Sequence, residues 1–173
     1  MLIVAHAGYP ALLDSGADFI EIDVRRHQGV IIDAHDAPKA GTNHATLDEI
    51  LEAVSRRELG LHLDVKESGY EIDLISRALE RLPAGRIVAT PDFEESIRVI
   101  KQKFPAVRVS PIDFMALEQK DATPERLDQC EVPVWVWTVD RVRSMRRFID
   151  DPKVEALITN RPDRAIALRH RKS

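Results

Sequence analysis

Short β-branched runs alternate along this chain with longer stretches at helical spacing, the pattern of a parallel sheet covered by helices. Strands are predicted over residues 2–5, 19–24, 30–34, 61–65, 86–89, 106–109, 132–138 and 154–159, and helices over 47–57, 70–82, 94–103, 114–119, 124–129, 141–150 and 162–170. Local chemistry supports the helix starts: Thr46 followed by Glu49 reads as a capping box, and Pro124 and Pro162 stand at first-turn positions. The stretch 110–131 reads as two short helices with no strand between them.

Seven or eight strands with intervening helices suit either a closed (β/α) barrel or an open doubly wound sheet. A length of 173 residues is short for a barrel, which typically takes about 250. The open form would bind a nucleotide at a Gly-rich first turn, but that turn reads His6-Ala7-Gly8-Tyr9-Pro10, with neither GxGxxG nor a phosphate-binding GxxxxGK loop. The length suits one domain, 1–173, since the chain has no Gly-rich linker, repeat or shift in composition. A chain 44% hydrophobic and 31% charged is not disordered, and 25 basic against 29 acidic residues argues against a dedicated nucleic-acid binder. No apolar run approaches the roughly 18 residues of a membrane span, and the opening lacks the basic flank of a secretory signal. A cytoplasmic protein is expected. The single cysteine, Cys130, excludes an intramolecular disulfide and a cysteine-based zinc site, so any metal must be held by Asp, Glu or His.

The candidate chemistry lies where polar residues meet strand ends. Glu21 and Asp23 are two apart in an apolar strand, so both carboxylates leave one face. His6 follows the first strand, His35 and Asp36 follow the third, and His62, Asp64 and Lys66 alternate with Leu61, Leu63 and Val65. Unpaired carboxylates in a covered strand cost several kcal/mol each. If Glu21, Asp23 and Asp64 converge at the C-terminal ends of neighbouring strands, a divalent cation resolves both their burial and their mutual repulsion. Oxygen ligation favours Mg²⁺, with Ca²⁺ or Mn²⁺ as alternatives. Blander readings are the solvent face of an edge strand for Glu21 and Asp23, and a local ion pair for Asp64 and Lys66. His27, His44, His62 and His170 have no comparable context. The basic helix with Arg141, Arg143, Arg146 and Arg147 and the tail from Arg169 to Ser173 read as solvated faces. Of Trp135 and Trp137, which flank Val136, one ring is expected in the core and the other outward, as an apolar wall of a substrate site.

The ordered residues His6-Ala7-Gly8, Gly16-Ala17-Asp18-Phe19-Ile20-Glu21-Ile22-Asp23-Val24, His35-Asp36, Asp64-Val65-Lys66, Trp137-Thr138-Val139-Asp140 and Ile158-Thr159-Asn160-Arg161-Pro162-Asp163 resemble the motif series of the glycerophosphodiester phosphodiesterase family. That resemblance implies a small (β/α) barrel of the TIM type with minimal loops, and a metal-dependent phosphodiesterase acting on a small-molecule phosphodiester. It further implies that Glu21, Asp23 and Asp64 hold the metal, that His6 and His35 are the acid and base, and that Lys66 contacts phosphate, with Trp137 as the apolar wall. Three departures from the family matter, besides a change at Asp64. Ala7 stands where the family has a phosphate-binding Arg. The Glu-Asn-Thr segment of the first helix is missing, and the insertion after His-Asp is reduced to residues 37–45. Asp64 replaces the usual Glu, a substitution shared with sphingomyelinase D-type phospholipase toxins. A catalytically weak relative that only binds a phosphodiester is the rival these departures favour, and another metal-dependent barrel enzyme, a lyase or aldolase, is a second.

Overall fold

The computed structural model describes residues 1–39 and 41–170. The chain falls into two compact units, one of residues 1–21 and 110–173, the other of residues 22–109. Strand β2 (Phe19–His27) passes through both.

In the first unit, β1 (Leu2–Ala5) pairs in parallel with the start of β2 and with β9 (Val154–Thr159). Strand β9 pairs with β8 (Val134–Trp137), and β8 with β7 (Met115–Glu118), again in parallel. Three helices complete the unit: α4 (Pro124–Asp128), α5 (Val142–Asp150) and α6 (Pro162–His170). They bury Leu127, Met145, Phe148 and Ala165 in one core with Ile3, Val134, Val136 and Leu157 of the strands. Each fully buried large aliphatic side chain contributes about 1.5–3 kcal/mol.

In the second unit, β4 (Gly60–Val65), β5 (Ile87–Pro91) and β6 (Arg108–Val109) follow β2 in sheet order, and β4, β5 and β6 pair in parallel. Helices α1 (Leu47–Ser55), α2 (Glu71–Arg81) and α3 (Glu94–Lys103) alternate with these strands. The capping box read from the sequence is present: Glu49 N–H donates to Thr46 Oγ1 at 3.3 Å and Thr46 N–H donates to Glu49 Oε2 at 2.7 Å. Thr123 likewise caps α4 by accepting from Arg126 N–H at 3.2 Å. The fold is a mixed α/β arrangement on a largely parallel sheet. It is compatible with a TIM-like fold, and the pairings do not fix a closed ring.

Three expectations are corrected. Residues 114–119 form no helix. Met115-Ala116-Leu117-Glu118 has helix-forming side chains, yet it pairs with β8 from Met115↔Val134 to Glu118↔Trp137. Main-chain pairing and burial of Leu117 override the weak propensities of four residues. The sheet is also not wholly parallel: β3 (Val30–Asp33) is antiparallel to β2. The two-residue loop between them, Gln28 (φ 50°) and Gly29 (φ 81°), has positive φ at both positions, the type I′ geometry that matches strand twist. The tail read as a solvated basic face begins with a paired residue. Arg169 Nη1 donates to Asp18 Oδ2 at 2.5 Å and to the Met1 carbonyl at 3.2 Å. The same Asp18 oxygen accepts from Ile3 N–H at 2.7 Å, so Asp18 ties α6 to β1. Residues 171–173 lie outside the described residues.

Gly8 is the tightest backbone position in the first turn. A Cβ built there would lie 2.9 Å from both the Cβ and the carbonyl oxygen of Ala5, and 3.2 Å from Ile20 Cγ2. Neither Ala5 atom can swing away. Gly8→Ala should therefore destabilise the protein by about 1–3 kcal/mol, as overpacking does; a urea midpoint equal to wild type would show that the turn can shift.

Candidate functional site

Strand β2 carries the acids because its sequence alternates Ile20, Ile22 and Val24 with Glu21, Asp23 and Arg25, one set on each side. Glu21 is 3% exposed and Asp23 is 5% exposed. A carboxylate oxygen from each lies within 4.8 Å of one from Asp64, on β4. The acidic triad expected from the sequence is therefore formed. One oxygen from each of three carboxylates at such separations could hold a hard divalent cation. All three donors are carboxylates, which suits these ions better than Zn²⁺.

Around Glu21 the first unit builds a set of directed hydrogen bonds. The backbone turns sharply after β1, with Ala7 at φ 43°, and this aims Ala7 N–H at Glu21 Oε2, 2.7 Å away. Gly8 N–H donates to the Glu21 carbonyl at 3.1 Å. His6 Nε2 stands 4.0 Å from Glu21 Oε2, and its Nδ1 is 3.0 Å from Asn160 Oδ1. Asn160 is itself oriented: its Nδ2 donates to Asp140 Oδ2 at 2.8 Å, and its backbone N–H and the Thr159 hydroxyl donate to Asp140 Oδ1 at 2.9 and 3.0 Å. A carboxylate can only accept from the amide nitrogen, so the amide oxygen faces His6. His6 Nδ1 then carries the proton, which leaves Nε2 as the basic atom of the neutral ring. Burial pushes the Asp140 carboxyl up, but the bonds from Asn160 and Thr159, with His6 nearby, outweigh it and hold it below the usual carboxylate range.

In the second unit, Lys66 Nζ lies 2.6 Å from Asp64 Oδ2 and 3.1 Å from Asp23 Oδ1. Burial works to discharge Lys66. The hydrogen bond and charge of Asp64, together with Asp23, prevail and hold its ammonium above the ordinary lysine value. At Asp64 the balance goes the other way. Burial outweighs the attraction of Lys66, Asp23 and Asp92 add like charge, and the carboxyl is pushed up. His35 stands just past β3 with its side chain 74% exposed, its Nδ1 3.1 Å from Asp36 Oδ1.

The two tryptophans differ in exposure, but not by facing opposite ways. Residues two apart on a strand share a side. Trp135, in mid-strand, is fully buried against Phe19 and Phe114, while Trp137, at the C-terminal end of β8, is 41% exposed. Sequence reasoning did not single out Asp140 and Asn160 as partners of His6, nor Asp33. Asp33 Oδ1 accepts from Asp23 N–H at 3.1 Å. Hydrophobic periodicity carries no signal for such side-chain to backbone bonds.

The α/β fold thus gathers three carboxylates that could hold a metal ion, and a histidine held by Asn160. No protein-family model and no curated protein sequence matches the chain. Solved structures do match over nearly its whole length. A phosphodiesterase from Oleispira antarctica, in complex with the product sn-glycerol-3-phosphate, has a TM-score of 0.83 at 14% identity, covering 97% of this chain and 96% of that one. A glycerophosphodiester phosphodiesterase from Parabacteroides distasonis gives 0.81 at 17% identity, with 99% and 97% covered. One from Agrobacterium tumefaciens gives 0.76 at 18% identity, with 98% and 99% covered. The chain shares the fold of these phosphodiesterases.

Burial raises the Asp33 carboxyl to about 6, with the Asp23 amide working against the shift and the Asp23 charge adding to it. The folded protein thus holds this proton more tightly than the unfolded chain, and the stability linked to it is lost as pH rises from about 4 through about 6. Asp33→Asn removes the ionisation while keeping an oxygen for the Asp23 amide. In chelator, its thermal midpoint should exceed that of wild type at pH 7 and match it at pH 4; an equal difference at both values would rule out ionised Asp33 as a burden on the fold.

Proposed function

We propose that the protein is a metal-dependent phosphodiesterase that cleaves a diester of the glycerophosphodiester type. The observation that carries this reading is the triad of Glu21, Asp23 and Asp64, the first two buried and the third partly so, with Lys66 against Asp23 and Asp64. The phosphodiesterase fold of the solved neighbours supports it. A divalent cation held by the triad would bind a non-bridging phosphoryl oxygen and offset the charge that develops there.

The chain's own residues do the rest. His6, with Nδ1–H committed to Asn160, offers Nε2 as the base that takes a proton from the attacking oxygen, whether of water or of a substrate hydroxyl. His35, beside Asp36, gives a proton to the leaving alkoxide. Lys66, the ammonium beside Asp23 and Asp64, would meet the phosphate as a point charge. Trp137 supplies an exposed apolar wall. Ala7 offers no guanidinium fork to the phosphate, so the grip on substrate rests on the cation and Lys66.

Mg²⁺ or Ca²⁺ should raise the thermal midpoint, because a ligand of the folded state stabilises it by mass action, and Asp23→Asn should shrink that rise. Identical midpoints with and without metal in both proteins would remove the triad as a metal site.

A panel of phosphodiesters assayed with and without chelator tests turnover. His6→Ala and His35→Ala should each cut the chemical rate by about 10²–10⁴-fold with metal affinity retained. Full activity in either variant would take that histidine out of the mechanism, and metal binding without turnover of any diester would favour a protein that only binds its ligand.

A further inference from the structure

His6 is held through its side chain, whereas among the described residues the His35 imidazole has the exposed Asp36 as its hydrogen-bond partner. The main chain at His35 is nevertheless fixed. Just before it, Ala34 N–H donates to the Asp23 carbonyl at 2.8 Å. At His35 itself, the carbonyl oxygen accepts from both Nε and Nη2 of Arg25, each at 3.1 Å. A third donor of the same guanidinium, Nη1, reaches Glu67 Oε1 at 2.8 Å, and Glu67 Oε2 accepts from Arg26 N–H at 3.2 Å. The Arg25 side chain is 19% exposed and lies on the β2–β3 ladder, opposite Ile32. Glu67 directly follows Lys66.

We infer that Arg25, oriented by Glu67, is a positioning residue that sets where His35 delivers its proton. This rests on the proposed phosphodiesterase reading and extends it to a residue that touches neither metal nor substrate. The argument is geometric. One edge of a planar guanidinium presents Nε–H and Nη2–H side by side to a single carbonyl oxygen while its other end meets a carboxylate, and a lysine ammonium cannot do both. Arg25 shares the side of β2 that carries Glu21 and Asp23, and Glu67 adjoins Asp64-Val65-Lys66, so the strands that present the acids also anchor the His35 loop.

The test compares Arg25→Ala, Arg25→Lys and Glu67→Gln with wild type, all loaded with Mg²⁺. Arg25→Ala should lower kcat by about tenfold to a hundredfold while KM stays within about twofold, because a small displacement of a proton donor slows chemistry without loosening substrate binding. Arg25→Lys should recover little of that loss, and Glu67→Gln should fall between wild type and Arg25→Ala. The basic limb of the pH–rate profile, which reports the protonated donor, should shift in Arg25→Ala if His35 moves relative to Asp36. In parallel, ¹⁵N relaxation of the Ala34 to Ala37 amides should show increased motion in Arg25→Ala, with metal affinity unchanged. A rise in KM that accounts for the loss would mean that Arg25 meets the substrate, and unchanged amide relaxation would overturn the positioning role. If wild type turns over no phosphodiester, the functional reading fails, and the relaxation comparison still decides whether Arg25 fixes the His35 backbone.

Discussion

Burial of carboxylates inside a strand is the constraint on which the rest of this structure depends. Glu21 and Asp23 sit at 3% and 5% exposure on β2, where an uncompensated charge costs several kcal/mol. Each compensation has a distinct structural source. Glu21 receives the amide of Ala7 because the chain turns at once after β1. Asp23 receives the ammonium of Lys66, which follows β4. Asp33, drawn alongside by the hairpin, accepts the Asp23 amide and adds a further negative charge. Glu21, Asp23 and Asp64 are a group that could hold a metal ion, and the strand order that brings β4 next to β2 is what gathers Asp64 to Asp23.

The two candidate proton-transfer residues are secured by different means. His6 ends a chain of side-chain bonds that begins at Asp140 and passes through Asn160, and this chain selects one tautomer. His35 is anchored through its own carbonyl, and its ring nitrogen meets the exposed Asp36. A base benefits from a fixed lone pair.

Much of this was legible in the sequence, for identifiable reasons. The period-2 pattern of residues 19–24 gave the shared face of Glu21 and Asp23, and the alternation around Asp64 gave the second contributing strand. Thr46 with Glu49 marked a helix start that the structure reproduces. What escaped the sequence depended on partners distant along the chain. Met115 to Glu118 becomes a strand only because β8 lies beside it. Arg25 and Glu67 are 42 positions apart, and Asn160 and His6 are 154 apart, so no local window joins them. The tryptophans were expected to divide inward and outward, but depth along β8 separates them, a property that spacing does not encode.

The turn at Ala7 has a consequence for how such a site changes over time. Its contribution to Glu21 comes from a main-chain N–H, fixed by a φ of 43°, while the Ala7 side chain is exposed. Any residue that tolerates this backbone can supply that N–H. Position 7 is thus uncoupled: the acid beneath it is served by the peptide, and the side chain faces outward. The side chain at position 7 can therefore change without removing the bond to the carboxylate below.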